Sequence, residues 1–192
     1  MESKGVAVKS TQKFVEDKYP ERYKEWIESL SNKSKCIMTG KIFDGAWYDL
    51  HDSIVEPMKK ICDMFYWSSD RGAWEVGRYN AEVSLKGIYS FFIKTPSPEL
   101  LISKASHIMS TFYRPCEMKS KQVKNDEAYL YIVSFKEPNH LVELRIGGWA
   151  ERTLEFCGCK NLKLTITKSL AKGDKLTEYQ FSWSWKIYLK IT

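Results

Sequence analysis

Residues that interrupt regular structure are scarce in this chain, which has 6 Pro and 10 Gly among 192 residues. Long apolar runs are missing too, and none approaches the ~20 residues that a membrane-spanning helix needs. The residues after Met1 lack the apolar core of a secretory signal. Because 43% of the residues are hydrophobic, we expect one compact domain over residues 1–192, cytoplasmic and without a membrane span.

Charge of one sign is not concentrated anywhere in the sequence. The 30 Lys and Arg residues are interleaved with 24 Asp and Glu residues, and the net charge is +6. This pattern is typical of a mildly basic surface and predicts no nucleic-acid partner. The 5 Cys are an odd number in a chain long enough to build a core without disulfides, which indicates reduced and mostly buried thiols.

Catalytic signatures are absent from the sequence. None of the 3 His lies in a nucleophile elbow or a comparable motif. Gly147-Gly148 lacks the Lys-Ser/Thr of a phosphate-binding loop and lies within a helical pattern, so close helix packing explains it better. Carboxylates such as Glu75 and Glu151 lie at helix spacing from basic residues, for example Glu75 from Arg78, and solvated ion pairs account for them. The sequence therefore predicts a protein that is not an enzyme.

Apolar residues recur at intervals of three and four up to Pro115, which predicts a helical part over about residues 10–114. Pro57 lies inside one apolar stripe and is expected to kink that helix or to start a second piece. Another predicted helix has Gly77 and Ala81 on its apolar face. Since both are small, we expect a second element to pack closely there.

After Pro115 the apolar residues alternate, which is typical of half-buried strands. The predicted elements are a hairpin of residues 118–124 and 128–135, a helix over 138–156 that Gly158 ends in a left-handed conformation, and strands near 162–166 and 179–187. The predicted fold class is α+β, with an N-terminal helical layer packed on a four-stranded antiparallel sheet. Its second part, about residues 117–190, has the order β-β-α-β-β.

Five short segments carry a resemblance to a known family: Trp47-Tyr48-Asp49-Leu50, Gly77-Arg78, Lys94-Thr95-Pro96-Ser97-Pro98-Glu99-Leu100-Leu101, Phe112-Tyr113, and Gly148-Trp149 through Gly158-Cys159-Lys160. They resemble an uncharacterised deltaproteobacterial family, which departs from this chain in having Pro at the position of Asp49. That family is similar to the superfamily of haem-NO-binding domains, 4-vinyl-reductase domains and trafficking-complex subunits that carry a buried acyl chain. The resemblance implies a non-catalytic bacterial module with a pocket between helices and sheet, used to sense a small molecule or hold a lipid.

Haem is the cofactor that this resemblance raises first. Haem-NO-binding domains are recognised by an axial histidine on a helix and by a Tyr-x-Ser-x-Arg motif. The comparable stretch here, Tyr113-Arg114-Pro115-Cys116, does not match that motif. His107 is the histidine best placed on a helix, but its spacing puts it at the flank of the apolar stripe, where an ordinary boundary histidine is the simpler interpretation. A haem-based gas sensor is therefore only a minor alternative.

Zinc is the second cofactor to consider, because thiolates are good zinc ligands. Cys157 and Cys159 are separated by one residue, and a zinc knuckle has two to four. Cys116, Cys62 or His51 would have to join them through folding. A buried Cys157 and an exposed Cys159 in a turn are the simpler interpretation, and no cofactor is assigned.

Four aromatic or basic residues are candidates to line a ligand pocket: Trp47, Trp74, Arg78 and Tyr113. Their alternative role is structural, since aromatic residues at helical spacing usually pack in a core. Arg78 is expected either to pair with Glu75 or to meet an anionic ligand. Two functions stay open: a sensory module that binds a small apolar or lipid-like ligand and signals through a homodimer or a partner protein, and a scaffold whose core is filled by its own aromatic residues.

Overall fold

The computed structural model describes residues 1–86, 98–124 and 126–184. Its helices are α1 (Gly5–Lys18), α2 (Tyr23–Ser29), α3 (Asn32–Thr39), α4 (Glu56–Phe65), α5 (Arg71–Lys86), α6 (Pro98–Ser110) and α7 (His140–Phe156). Its strands are β1 (Glu2–Lys4), β2 (Trp47–Asp49), β3 (Tyr113–Arg114), β4 (Cys116–Lys124), β5 (Glu127–Phe135), β6 (Lys160–Lys168) and β7 (Thr177–Ser184). Helices followed by β-β-α-β-β confirm the predicted α+β fold.

Local sequence signals explain where several helices begin. Pro57 lies in the first turn of α4, directly after a π-helical turn at His51–Val55, so it starts a second helical piece as predicted. A proline in the first turn loses no helical hydrogen bond, because that N–H has no partner within the helix. Asn139 caps α7 by accepting hydrogen bonds from the backbone N–H groups of Leu141 and Val142.

A small three-stranded sheet joins the N-terminus to the helical part, and the sequence analysis missed it. Its order is β2-β1-β3, with both pairs antiparallel. The first helix accordingly begins at Gly5 and not near Ser10. Because β1 is the central strand, Ser3 is fully buried and lies opposite Tyr48 on one side and Tyr113 on the other.

The larger sheet is antiparallel, with the strand order β4-β5-β7-β6. Alternate residues of β5 and β7 point into the core, so that Leu130 pairs with Tyr179 and Ala128 pairs with Phe181. This is the period-2 burial that the sequence predicted. The end of the last predicted strand, residues 185–187, lies outside the described residues, as do residues 94–97 of one segment that carries the family resemblance.

Helices α5 and α7 pack against each other at very short distance, and their glycines explain why. A Cβ atom built on Gly77 would lie 2.0 Å from the carbonyl oxygen of Arg145, and one built on Gly148 would lie 2.1 Å from that of Trp74. Each helix therefore offers a glycine to the backbone of the other. The structure confirms close helix packing at Gly77 and at Gly147-Gly148.

No helix in the described parts of the chain is both long and apolar enough to cross a membrane.

Candidate functional site

A buried arginine lies where α7 meets α1 and the small sheet. Arg145 is 1% exposed, although a guanidinium stays charged at all physiological pH values. Its Nη2 donates to the carbonyl oxygen of Ala7 over 2.7 Å and to Oγ of Ser10 over 3.2 Å. Its Nε and Nη1 have no hydrogen-bond partner. The site therefore contains a buried positive charge that is only partly satisfied.

The local fold explains why Arg145 is buried. It precedes Ile146 and lies one turn before Trp149, and both of these residues face the core. The close approach of Gly77 to the Arg145 backbone brings α5 directly over this part of α7. The guanidinium is thus enclosed by elements that are far apart in the sequence.

Three further polar groups belong to this part of the interior: Tyr113 beside the arginine, Ser3 opposite Tyr113, and Trp149 one helical turn after Arg145. Tyr113 is buried beside it: burial raises the pKa of the Tyr113 hydroxyl, and the charge of Arg145 opposes that rise. Ser3, opposite Tyr113 in the small sheet, has an unpartnered Oγ, and Trp149 has an unpartnered Nε1. We call Ser3, Tyr113, Arg145 and Trp149 the Arg145 cluster.

Glu143 is a second buried ionisable residue of α7, and its carboxylate, unlike the guanidinium of Arg145, has a hydrogen-bond partner on each oxygen. Glu143 is 3% exposed and accepts hydrogen bonds from the hydroxyls of Ser169 and Thr177 and from the backbone N–H of Ala171. These donors hold it at the loop between β6 and β7, away from Arg145. No ion pair joins Arg145 to any carboxylate in the described residues.

Arg78, one of the predicted pocket residues, pairs more closely with carboxylates of the neighbouring helix than with one of its own helix. Its Nη2 donates to Oε2 of Glu155 over 2.9 Å and its Nη1 donates to Glu151, whereas Glu75 is 3.9 Å from its Nε. Trp74 also donates to Glu151, over 2.8 Å. The expected pair with Glu75 is present at 3.9 Å, but the closer partners lie on α7, because the glycine contacts bring that helix within reach.

This ion-pair network lies between two surface clefts. The first has a volume of about 380 Å³ and is lined by Phe14, Lys18, Tyr19, Tyr66, Glu75, Arg78, Tyr79, Glu82 and Arg152. The second, about 330 Å³, lies between α7 and β6 and is lined by Trp74, His140, Leu144, Leu164, Thr165, Ile166, Thr167, Lys168, Ser169, Lys172 and Asp174. Trp74 thus lines a cleft between helices and sheet, where the resemblance implied a pocket.

The remaining pocket candidate, Trp47, lies elsewhere. Its ring is half-buried on β2, with Lys4 at 4.5 Å and Arg114 at 4.1 Å from its centroid. Tyr113 is on β3, on the other side of the central strand β1, and is buried beside Arg145. The four predicted residues are therefore spread over three places, and Arg145, which the sequence analysis did not single out, has the most unusual environment. A charged residue inside an apolar helix face was the signal that could have identified it.

The cysteines do not assemble a metal site in the described residues, and all five are in that part of the chain. None forms a disulfide. Cys159 is 2% exposed, so the expectation of an exposed turn residue is wrong: its backbone N–H donates to the carbonyl of Leu154, which turns it back under α7. Burial raises the pKa of Cys116 to about 12, so its thiol is neutral at physiological pH and a poor metal ligand.

One group of potential metal ligands does occur on the described surface: His51, Asp52 and Glu56. Both Glu56 oxygens already accept hydrogen bonds from Ser31 and Ser34, which cap α3. Glu56 is thus accounted for as a capping residue.

The residues do not fit a haem held by an axial histidine. His107 is exposed on α6, whereas its neighbours Ile108 and Met109 are buried. His51 is exposed, and the Nε2 of His140 is 3.3 Å from Asp70 at the surface. In the described residues, no histidine faces the apolar interior between α6 and the sheet.

The architecture defines an α+β class in which helices cover one face of an antiparallel sheet. Solved H-NOX structures share it. The S. oneidensis H-NOX protein in the Fe(II)NO ligation state has a TM-score of 0.74 at 10% identity, covering 94% of this chain and 99% of that chain. The unliganded Fe(II) H-NOX protein of K. algicida has a TM-score of 0.71 at 14% identity, covering 97% and 100%.

A third neighbour, a mutant of T. tengcongensis H-NOX, has a TM-score of 0.65 at 14% identity and covers 96% of this chain and 100% of that one. These similarities confirm the fold that the sequence resemblance implied. No family model matches the sequence, and the search of curated proteins gives no significant match.

Proposed function

We propose that this protein is a non-catalytic sensory module that binds a small apolar or lipid-like ligand between its helices and its sheet. The fold carries this proposal: over 94–97% of the chain it is similar to H-NOX proteins described in ligated and unliganded states. A fold does not determine a ligand. It does favour ligand-binding proteins over enzymes as the class to test first.

The interior of this chain supports the proposal independently. Buried polar groups in native proteins are nearly always hydrogen-bonded, and the Arg145 cluster combines a buried charge with several unpartnered donor atoms. A core filled only by its own aromatic residues has no need for such a cluster. This observation favours a ligand-binding module over the alternative of a self-filled scaffold.

Signalling by such a module requires a contact with another protein, either a second copy of the chain or a partner. Light scattering during gel filtration, with and without the bound ligand, tests the homodimer. A mass that changes with ligand occupancy supports a signal passed between copies. A constant monomer mass points to a different partner protein.

Native mass spectrometry combined with an absorption spectrum tests the proposal directly. Protein purified without detergent is expected to have a native mass above its denatured mass, and the released molecule identifies the ligand. If the native mass equals the denatured mass, and if neutral or anionic apolar probes added afterwards do not bind, the result favours a scaffold whose core is filled by its own aromatic residues.

A haem-based gas sensor is the second candidate, because the structural neighbours include Fe(II) H-NOX proteins. The exposure of His107 argues against it in this chain. We expect haemin added to the purified protein to give no stable Soret band beyond that of free haemin. A band that the His107→Ala variant loses would establish haem binding and overturn our preference.

A further inference from the structure

The Arg145 cluster indicates which chemical class of ligand the interior is built for. A guanidinium has five N–H groups, and the two on Nη2 account for the bonds to Ala7 and Ser10. Beyond these two bonds, the guanidinium reaches the buried Tyr113 hydroxyl: burial raises the pKa of that hydroxyl, and hydrogen bonding to Arg145 opposes the rise. No charged acceptor meets Nε or Nη1 of Arg145 in the described residues. Arginine cannot become neutral by losing its proton, so it keeps its charge in this buried position.

The cost of this arrangement shows that an acceptor is missing. A buried charge without a counter-ion is strongly destabilising, and native proteins keep buried charges paired. Glu143, two residues earlier, is instead satisfied by three neutral hydrogen-bond donors that occupy both of its carboxylate oxygens. Arg145 has no carboxylate partner in the described residues.

The neighbours of Arg145 also lack acceptors to bind. Trp149 Nε1 is a donor only, and Ser3 Oγ is a hydroxyl without a partner. Tyr113 adds a buried hydroxyl beside the guanidinium. A site with so many donors is complementary to an anion, since an anion accepts several hydrogen bonds at once.

The size of the charge and the apolar surroundings narrow the ligand further. One guanidinium balances a single negative charge, which is the charge of a carboxylate. A phosphate monoester carries about 1.5 to 2 negative charges at neutral pH, so it fits this site less well. Ala7, next to the guanidinium, is fully buried, and Phe112 packs near Trp149 at a ring distance of 6.4 Å. A ligand here has to combine one carboxylate with an apolar body.

We propose that Arg145 binds the carboxylate of a small apolar acid, of the fatty-acid class, between α1, α7 and the small sheet. This inference rests on the proposed ligand-binding function and specifies the ligand for it. Arg145 supplies the charge, and Trp149 and Tyr113 supply neighbouring donors.

Calorimetric titration of the full chain tests the inference with three probes: decanoate, decanol and acetate. The protein is first stripped of bound lipid on a hydrophobic resin, and its bare mass is verified. Decanoate is expected to bind at least tenfold more tightly than decanol, equivalent to about 1.4 kcal/mol, and acetate to bind weakly or not at all. Equal affinities for decanoate and decanol would overturn the inference while leaving apolar ligand binding intact.

Variants then assign the carboxylate preference to Arg145. Arg145→Met should lose at least tenfold in decanoate affinity and keep its decanol affinity, whereas Arg145→Lys should retain part of the preference. Arg71→Met, which removes an exposed arginine on α5, is the matched control and should bind like the wild type. Unchanged decanoate affinity in Arg145→Met would overturn the inference.

The stability of the empty protein provides a second readout that does not depend on ligand binding. If Arg145 lacks a counter-ion in the empty protein, the empty Arg145→Met variant should melt at a higher temperature than the empty wild type. Decanoate should then raise only the melting temperature of the wild type.

If Arg145→Met fails to fold, the guanidinium is a structural element satisfied by the protein, and the inference is overturned. If neither decanoate nor decanol binds to the wild type, the proposed function fails as well.

Discussion

Single glycines determine how closely α5 and α7 approach each other. A side chain on Gly148 would have to occupy the space of the Trp74 carbonyl oxygen, which backbone atoms cannot vacate easily. We expect Gly148→Ala to lower the free energy of unfolding by ~3 kcal/mol, at the upper end of overpacking costs. Urea denaturation measures this change. Gly45→Ala is the control, because no atom lies within 4 Å of its added methyl group; equal losses in both variants would contradict the account.

The thiols should differ sharply in reactivity. Cys36 is exposed, whereas burial raises the pKa of Cys62 to about 11 and that of Cys116 to about 12. Since the thiolate is the reactive form, we expect one fast thiol per chain with a disulfide reagent at pH 8. The Cys36→Ser variant should lose that fast phase. Rapid labelling of Cys116 in the folded protein would show that its surroundings are more open than described.

At this scale the sequence predicted the types of residue better than their surroundings. The left-handed Gly158 was predictable, because a glycine after an apolar helix is a common end signal, and it has φ +91°. The burial of Cys159 was not, because it depends on the chain turning back to Leu154. The lack of a carboxylate partner for Arg145 depends on which residues from distant parts of the sequence lie beside it in the fold. The local sequence pattern around Arg145 does not contain that information.

At the scale of elements, the ion pairs between α5 and α7 add a pH-dependent contribution to stability. Burial raises the pKa of Glu155, but hydrogen bonds from Arg78 and Arg152 outweigh burial and hold that pKa below its usual value. A carboxylate with a lowered pKa in the folded state stabilises the fold above its unfolded pKa of about 4.3. The contribution disappears as the pH falls through the folded value.

Arg78→Met should therefore destabilise the protein most above about pH 5. We expect a loss of ~1–2 kcal/mol at pH 7, since Arg78 is only partly shielded from solvent with 22% of its side chain exposed. The difference from the wild type should narrow as the pH falls through the lowered folded-state pKa of Glu155, where this carboxylate protonates. Urea denaturation across this pH range gives the profile. Arg71→Met, which removes an exposed ion pair, should have little effect at any pH.

Long elements were predictable and short ones were not. Helices α5 and α7 and strands β5 and β7 each contain enough residues to show a period. Strand β1 has only three residues, which are too few to show an alternating pattern. Its partner strands begin at Trp47 and Tyr113, far along the sequence, so no hairpin signal next to β1 indicates the small sheet. This omission mattered for the site, because Ser3 and Tyr113 meet there.

At the scale of the whole molecule, the helical part and the β-β-α-β-β part share α7, which packs on α5 and reaches β7 through Tyr179 and the carbonyl of Glu143. We therefore expect one cooperative domain, with tryptophan fluorescence and far-ultraviolet circular dichroism giving the same urea midpoint. Two separate transitions would mean that the two parts fold independently. The order of elements made this fold class predictable, but it did not predict the ligand.

The central claim is that the interior holds an anionic ligand at Arg145. NMR of decanoate, isotope-labelled at its carboxyl carbon and titrated into the stripped protein, tests it most directly. We expect a bound carboxyl resonance whose pKa lies below that of free decanoate, because the guanidinium stabilises the anion. The Arg145→Met variant should lose this resonance. A carboxyl resonance that titrates like the free acid, or that is identical in the wild type and Arg145→Met, would contradict it.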